Sequence, residues 1–247
     1  MIFKQTYVIG IEEINSHCEA TNRALLVAME NIACAYSANV GYGARDIETK
    51  KRAWILLEWK MQVLKRPLYN EKIEVITWSR DMDNVFAYRD YEIRYEDGEL
   101  LAIGTSKWFL MDTERKRPVR ITEDIVALYE CEQQCVFDKK KDKIEYDEKR
   151  LQTAQSYPYT LQRRDFDING HMHNINYLDM VYEILPQDVY NTIDFTMVQI
   201  EYKKQILPNT AIYCKYYKEG FTHYVIVMSD EGIHSIIALQ EAKQLEF

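Results

Sequence analysis

The chain has 247 residues, of which 47% are hydrophobic, so it can bury a sizeable core in one large or two smaller domains. A formal net charge of −8 disfavours nonspecific binding to nucleic acid or to an anionic membrane. Charged residues from Lys4 to Glu13 interrupt the opening segment, and no later window approaches the roughly 18 apolar residues of a membrane span. The five cysteines are odd in number and scattered, so we expect reduced thiols in a cytoplasmic protein.

The first half predicts one strand, one long helix and then four strands. An apolar alternation, TYVIGI, indicates the opening strand. Apolar residues then recur at helical spacing from Leu25 to Tyr36, and Thr21 or Asn22 can cap this helix. Residues typical of strands fill RAWILLEWKMQVLKRP, EKIEVITWSRDM and FAYRDYEIRYEDGELLAIGTSKWFLMDT. We therefore expect a helix wrapped by a curved antiparallel sheet.

The second half repeats this order after a polar segment. That segment predicts a helix from Ile121 and then a solvated connector, which contains the charged run Asp138 to Lys143. Beyond it follow a strand in SYPYTLQ, a helix in NINYLDMVYEILP, and strands in TMVQIEYKKQI, TAIYCKYYKEG, THYVIVMSDEG and HSIIALQEAKQL. The repeat predicts two similar domains, residues 1–130 and 151–247, joined by a linker of residues 131–150. Sites are expected where the halves meet.

Polar groups are concentrated just before the second helix, in RRDFDINGHMHN. If this stretch is extended, the alternating residues Asp167, Asn169 and His171 point to the same side and can share one cleft. The simpler alternative is that Asp167 or Asn169 caps the helix. Gly170 is expected to supply a turn conformation that other residues avoid.

The stretch DFDINGHMHNINYLDMVYEILP resembles the D-x-D-x-N-x-H-x-N-N-x-x-Y signature of the acyl-acyl carrier protein thioesterases, the plant plastid enzymes and their bacterial relatives. The stretches WKMQVLKRPLYNEKIEVITW and GTSKWFLMDTERKRPVRI are similar to the first domain of that family, and IEYKKQ to its strand after the second helix. The resemblance spans nearly the whole chain. It implies an α+β double hotdog fold, in which each tandem half is a long helix wrapped by a curved antiparallel sheet. It places the acyl-chain pocket in the first half and catalysis in the second.

The resemblance assigns catalysis to Asp167, Asn169 and His171. Asp167 can attack the thioester to give a mixed anhydride, or it can take a proton from water. Asn169 can orient the carboxylate or the water, and His171 can polarise the carbonyl or protonate the leaving thiolate. A helix that begins near Asn174 would also favour the oxyanion through its N-terminal amides. The resemblance implies neither a metal nor an organic cofactor.

Two positions depart from the family's pattern. Where plant members have a Glu followed by Cys, this chain has Gln205 and Ile206. The family's Glu helps to activate water, whereas Gln205 can position a water molecule but cannot take its proton. Glu201 lies on the same strand face, but the family has a Glu there already, so we do not expect it to substitute. His173 replaces the first Asn of the Asn-Asn pair.

The resemblance implies a fatty acyl chain on the phosphopantetheine arm of acyl carrier protein as the substrate, and release of free fatty acid that terminates fatty acid synthesis. The acyl chain would lie in an apolar tunnel of the first half, although each residue predicted to line it also fits an ordinary core position. These residues are Leu26, Met29, Ile32, Trp54 and Trp78.

Docking of an acidic carrier protein on an acidic chain requires local basic patches. The candidates are Arg163 with Arg164, and the cluster from Arg115 to Arg120 that includes Arg117; for any one of them alone, ordinary solvated charges are the simpler explanation. The sequence is also compatible with a homodimer.

Two other functions stay open. A thioesterase that prefers acyl-CoA would be indifferent to reversal of the basic patches. A noncatalytic hotdog protein would bind the acyl chain and leave the thioester intact, which Gln205 makes plausible. A hotdog dehydratase is disfavoured, because it would need a different pairing of His and acidic residues than DINGH offers.

Overall fold

The computed structural model of the chain describes residues 1–137 and 143–242. It divides into two compact units, Met1–Lys140 and Lys141–Phe247. Within each unit, neighbouring strands pair in an antiparallel manner.

The described part of the first unit begins with a strand and a long helix, as the sequence predicts. Its elements are β1 (Ile2–Val8), α1 (Asn22–Asn39), α2 (Ile47–Lys50), β2 (Arg52–Val63), β3 (Lys72–Met82), β4 (Phe86–Arg94), β5 (Leu100–Asp112), β6 (Arg117–Pro118) and α3 (Glu123–Tyr129). The strand order is β1-β3-β4-β5-β2, and β6 pairs with β5. Thr21 is the N-cap of α1, and its hydroxyl accepts the Ala24 N–H at 3.2 Å, which confirms the predicted start.

Helix α1 packs closely on one face of this sheet. A Cβ atom at Gly104 of β5 would lie 2.7 Å from the sulfur of Met29, so only glycine lets the helix approach this closely. The apolar side of α1, including Leu25 and Ile32, is fully buried. The helix and the sheet face therefore form the core of this unit.

Some described residues of the predicted linker, both before and after residues 138–142, make contacts with the rest of the protein. The Trp78 indole donates to the Gln134 carbonyl at 3.0 Å, and the Val136 N–H donates to the Asp90 carboxylate at 3.0 Å. Ile144 is buried in a cluster of the second unit. Residues 134, 136 and 144 are therefore tied to the protein by these contacts, while neighbouring residues such as 133 and 145 are exposed, and the linker of residues 131–150 stays a prediction. Residues 138–142 of the predicted charged run lie outside the described residues.

The second unit contains the polar cluster, which lies outside its sheet, between β7 and α5. Its elements are α4 (Glu148–Thr153), β7 (Gln155–Tyr159), α5 (Asn176–Ile184), α6 (Gln187–Thr192), β8 (Phe195–Tyr202), β9 (Ile212–Glu219), β10 (Thr222–Ser229) and β11 (Gly232–Glu241). The strand order is β8-β11-β10-β9-β7. Helix α5 packs on the sheet through an edge-to-face contact of Tyr177 with Tyr202, at 5.3 Å between ring centroids. The predicted last strand extended to residue 245, but residues 243–245 lie outside the described residues.

Candidate active site

Asp167 begins a tight turn that its own carboxylate stabilises. Oδ1 of Asp167 accepts the N–H groups of Asn169 and His171, at 2.8 and 3.1 Å. The Gly170 N–H donates to the Asp167 carbonyl at 3.0 Å, and Gly170 has φ +75°, a conformation in which glycine is strongly preferred. The expectation of an extended stretch is therefore wrong, because these bonds close residues 167–171 into a turn.

The turn nevertheless brings predicted catalytic groups together. The Asn169 side-chain amide donates to Oδ2 of Asp167 at 3.2 Å. The His171 side chain is half-buried and, within the described residues, its imidazole makes no hydrogen bond. A carboxylate oriented by three donors thus lies on the same short turn as an imidazole that is available to a ligand.

The capping alternative does not hold for Asp167 or Asn169. The N-cap of α5 is Ile175, whose own side chain makes no capping hydrogen bond, and the Ile175 N–H donates to Nδ1 of His173 at 3.4 Å. The helix begins two residues later than expected, because residues 174 and 175 form a turn in which the Asn174 carbonyl accepts the Tyr202 hydroxyl at 2.8 Å.

Asp165 lies just before the turn and makes hydrogen bonds that fix the backbone there. It is 4% exposed, its carboxylate accepts the Gln162 N–H at 2.7 Å, and its carbonyl accepts the His173 N–H at 2.8 Å. Burial, reinforced by the charge of Asp165, raises the pKa of Tyr159 to about 12. The Tyr159 hydroxyl therefore stays protonated, and it points at the Asp165 carboxylate from 3.4 Å. The sequence signalled Asp165 only as the first Asp of the signature.

Gln205 lies in the segment that follows β8, next to the far side of the turn. Its side chain is exposed and has no hydrogen-bond partner in the part of the chain that the structure describes. The neighbouring Ile206 carbonyl accepts the Met172 N–H at 2.9 Å, and Met172 forms an isolated bridge with Phe166. The structure thus attaches the Gln205 segment to the residues that flank the Asp167 turn.

Glu201 is committed to other contacts. It is 2% exposed, its Oε1 accepts the Ile144 N–H at 2.6 Å, and its Oε2 pairs with Lys203. Both oxygens of this carboxylate are thus engaged in structural contacts. That Glu201 does not replace the family's missing Glu stays a prediction.

The five predicted tunnel residues all lie in the first unit. Four of them are fully buried: Leu26, Met29, Ile32 and Trp78. Trp54 is partly exposed, and its indole donates to the Tyr129 hydroxyl at 2.7 Å. Two surface cavities of about 320 and 540 Å³ in this unit are lined by other residues, around Arg120 and Thr122. The tunnel therefore stays a prediction.

The two predicted basic patches lie in different units. Arg163 and Arg164 form a single helical turn directly before Asp167, are exposed, and make no ion pair with any described residue. Arg117 is exposed on β6 of the first unit. Of the two patches, the Arg163–Arg164 pair is the one close in sequence to the Asp167 turn.

The described residues contain neither a candidate metal cluster nor a candidate membrane-spanning helix. No group of three or more His, Cys, Asp or Glu side chains among them is arranged to hold a metal ion. None of the helices in residues 1–137 and 143–242 has the length and hydrophobicity needed to span a bilayer. All five cysteines are free thiols.

Comparison with known families decides the relationship. Residues 1–129 match the model of the acyl-ACP thioesterase N-terminal domain, and residues 148–241 match the model of the C-terminal domain. The chain belongs to the acyl-ACP thioesterase family. The resemblance carried by the DFDINGH stretch is thereby confirmed.

Curated members of this family from plants are distant relatives. The oleoyl-acyl carrier protein thioesterase 2 of Arabidopsis thaliana is 21% identical over 222 residues, which cover 82% of this chain and 59% of the plant protein. The palmitoyl-acyl carrier protein thioesterase of Cuphea hookeriana is 26% identical over 220 residues, covering 83% of this chain and 52% of the relative. The chain thus spans between half and three fifths of the length of these relatives.

Solved structures of acyl-ACP thioesterases share the fold. The enzyme from Bacteroides thetaiotaomicron has a TM-score of 0.85 at 18% identity, with 98% of both chains covered. The 12:0-ACP thioesterase from Umbellularia californica has a TM-score of 0.87 at 18% identity, covering 98% of this chain and 97% of the other. At this identity the likeness shows the fold alone, and it confirms the predicted α+β double hotdog.

Proposed function

We propose that this family member hydrolyses the thioester of fatty acyl-acyl carrier protein and releases a free fatty acid, which terminates fatty acid synthesis. The observation that carries the proposal is the Asp167 turn. It holds the Asp167 carboxylate, with the Asn169 amide on one oxygen, and it carries the His171 imidazole, which makes no hydrogen bond to any described residue. Together they supply the base or nucleophile, the orienting amide and the acid that thioester hydrolysis needs.

Two routes are open to Asp167. As a nucleophile, a carboxylate oxygen bonds to the thioester carbon, the C–S bond breaks, and water then cleaves the mixed anhydride. As a base, Asp167 takes a proton from water while the water oxygen bonds to that carbon and the thiolate leaves. In both routes His171 can donate to the carbonyl oxygen or protonate the thiolate, and Gln205 positions the water. No step requires a metal or an organic cofactor.

The surface around the turn supports a carrier protein as the partner. Arg163 and Arg164 are exposed cations without ion pairs in the described chain, and Ile168 at the tip of the turn is 89% exposed. A basic pair beside an exposed apolar side chain suits an acidic protein that delivers a thioester to this point. We also propose Arg117 as a second docking contact and a cytoplasmic location for the protein. The residues proposed to line the acyl tunnel are Leu26, Met29, Ile32, Trp54 and Trp78. Light scattering on the purified chain tests the homodimer that the sequence allows.

The decisive experiment measures thiol release from matched panels of acyl-acyl carrier proteins and acyl-CoAs. Asp167→Asn should lower kcat by about 100-fold or more, because Asn keeps an acceptor for the two N–H groups but loses the reacting oxygen. Asp147→Asn is the matched control: Asp147 also accepts two backbone N–H groups, from Lys149 and Arg150, at the start of α4. The control should keep the wild-type kcat.

The outcomes separate the candidate functions. Preference for acyl-CoA over the carrier protein would favour the acyl-CoA thioesterase. Acyl binding without thiol release by the wild type would mean that Gln205, in place of the family's Glu, leaves a noncatalytic binding protein. An Asp167→Asn variant with wild-type kcat would remove Asp167 from the mechanism.

A further inference from the structure

His234 on β11 is a buried imidazole whose two nitrogens both have partners. It is 1% exposed; its Nε2 lies 2.7 Å from the Ser229 hydroxyl, and its Nδ1 lies 3.3 Å from the Lys204 carbonyl. Because a carbonyl can only accept, Nδ1 carries a proton and donates to Lys204, while Nε2 faces the Ser229 hydroxyl. The two contacts thus assign the His234 ring a single orientation.

The backbone of His234 binds the same segment. Its carbonyl accepts the N–H groups of Lys203 and Lys204, at 2.8 and 3.1 Å. The last paired residues of β8 and β11 are Tyr202 and Ser235, so His234 continues the attachment beyond the end of β8. Side chain and carbonyl together make three hydrogen bonds to the two residues that precede Gln205.

The residue after Gln205 is fixed independently. Ile206 is fully buried, its carbonyl accepts the Met172 N–H at 2.9 Å, and its backbone also makes a hydrogen bond with the Tyr177 hydroxyl. The residues before and after Gln205 are therefore fixed by hydrogen bonds, while the Gln205 side chain is exposed to solvent. The preceding residues are held by His234, and the following one by Met172, which flanks the Asp167 turn, and by Tyr177 of α5.

This arrangement matters because of what an amide can do. A carboxylate activates water by taking its proton, and it does so over a range of orientations. The Gln205 amide can only orient water through directed hydrogen bonds. Its contribution to the rate therefore depends on where the Gln205 backbone lies. The group that fixes this backbone then contributes to the rate.

We infer that His234 is a positioning residue for hydrolysis, which places Gln205 against the Asp167 turn, and that Ser229 keeps the His234 ring in the required orientation. The inference rests on the proposed function. It concerns a residue that does not touch the substrate and that acts through Gln205 alone.

A double-mutant cycle tests this. His234→Ala should lower kcat for acyl-acyl carrier protein by roughly 10- to 100-fold with KM within about twofold, and His234→Asn should recover part of the loss, because its amide can still donate to the Lys204 carbonyl. In a Gln205→Ala background, His234→Ala should lower kcat no further, because the group it positions is gone. Ser229→Ala should show a smaller loss with the same dependence on Gln205, and it serves as the probe if His234→Ala does not fold.

His223 is the matched control. It is also a buried histidine with two partners, the Glu241 carboxylate at 2.7 Å and the Tyr216 hydroxyl at 2.9 Å, but it lies at the other end of β10 from Ser229. His223→Asn should lower the melting temperature and leave kcat within about twofold.

Three results overturn the inference. Losses from His234→Ala and Gln205→Ala that simply add would assign His234 a general structural role. A wild-type kcat for Gln205→Ala would show that the positioned amide is not used, although the Asp167→Asn result could still support hydrolysis. Absence of thiol release by the wild type would instead refute the proposed function, and the inference with it.

Discussion

Asp167 and His171 are joined by two hydrogen bonds across a tight turn, from the Asp167 N–H to the His171 carbonyl at 2.9 Å and from the His171 N–H to Oδ1 of Asp167 at 3.1 Å. The proposed catalytic carboxylate is therefore also the group that shapes its own loop. The position of the reacting oxygen depends on the backbone of residues 167–171, and substitutions in the turn that leave Asp167 in place should still affect the rate.

Gly170→Ala tests this dependence. Gly170 has φ +75°, and a Cβ atom there would meet nothing within 4 Å, so the substitution strains only the backbone. We expect the free energy of unfolding to fall by about 1 kcal/mol and kcat to fall by about tenfold, as the turn relaxes. Chemical denaturation followed by circular dichroism, together with thiol-release kinetics, measures both quantities.

Gly220→Ala provides the control in the same unit. Gly220 has φ +57°, also has open space around the added Cβ, and lies in the turn between β9 and β10. It should lose comparable stability and retain kcat. Equal effects of the two substitutions on kcat would contradict a specific role for the Asp167 turn.

Much of the architecture can be predicted from local patterns. The apolar spacing from Leu25 to Tyr36 with Thr21 before it predicts α1 and its N-cap, and alternation with turn signals predicts β2 to β5. Helix α1 follows from periodicity because one side of it is buried, whereas β3 is buried on both faces from Val75 to Arg80 and follows from its β-branched and aromatic residues between turn signals. The residues of the proposed site can be predicted from several motifs in their order along the chain. No single motif is specific enough to do this alone.

Tertiary contacts override the local pattern at other positions. Asp167, Asn169 and His171 alternate as in a strand, but side-chain hydrogen bonds to backbone N–H groups favour a turn. Arg89 and Asp90 are adjacent charged residues that the sequence would place at the surface, yet both are buried. Partners distant in sequence compensate them: Thr77, Ser79 and the Tyr36 ring for Arg89, and Thr105 and Val136 for Asp90.

Glu201 separates a structural carboxylate from a catalytic one. Glu201→Leu should lower the free energy of unfolding by roughly 2–4 kcal/mol, because it leaves the buried Ile144 N–H without an acceptor and Lys203 without its partner. Glu201→Gln keeps an acceptor for Ile144, so it should cost less stability and retain the wild-type kcat. A Glu201→Gln variant with normal stability and no turnover would instead identify Glu201 as the base.

Charge reversal at Arg163 and Arg164 tests docking. The double variant Arg163→Glu/Arg164→Glu should raise KM for acyl-acyl carrier protein by about tenfold at low ionic strength, with a smaller effect in high salt, because exposed charges are screened. Hydrolysis of acyl-CoA should change by less than about twofold. Arg117→Glu tests the other patch in the same assay.

Lys149→Glu is the control for this reversal, since it changes an exposed cation on α4 of the same unit. If it raises KM as much as the double variant does, the effect comes from net charge and not from a docking surface. An unchanged KM for the double variant would place docking elsewhere.

His223 should make the stability of the second unit depend on pH. Burial lowers the pKa of His223; the Glu241 carboxylate opposes this shift and the Lys218 ammonium adds to it. The imidazole of the unfolded chain titrates near pH 6.5. Below that pH the unfolded chain binds a proton that the folded chain, with its lower pKa, does not yet bind. The stabilisation is complete above about pH 6.5 and is lost as the pH falls through the lower, folded pKa.

We therefore expect the free energy of unfolding to decrease between pH 7.5 and pH 5.5, and to decrease less in His223→Gln. All four Trp residues, at positions 54, 59, 78 and 108, belong to the first unit, so circular dichroism, which reports on the backbone of both units, is the measurement to use. Burial raises the pKa of Tyr216, the other hydrogen-bond partner of His223, to about 12, so this hydroxyl stays neutral throughout the range. Parallel pH profiles for the wild type and His223→Gln would show that His223 is not the group responsible.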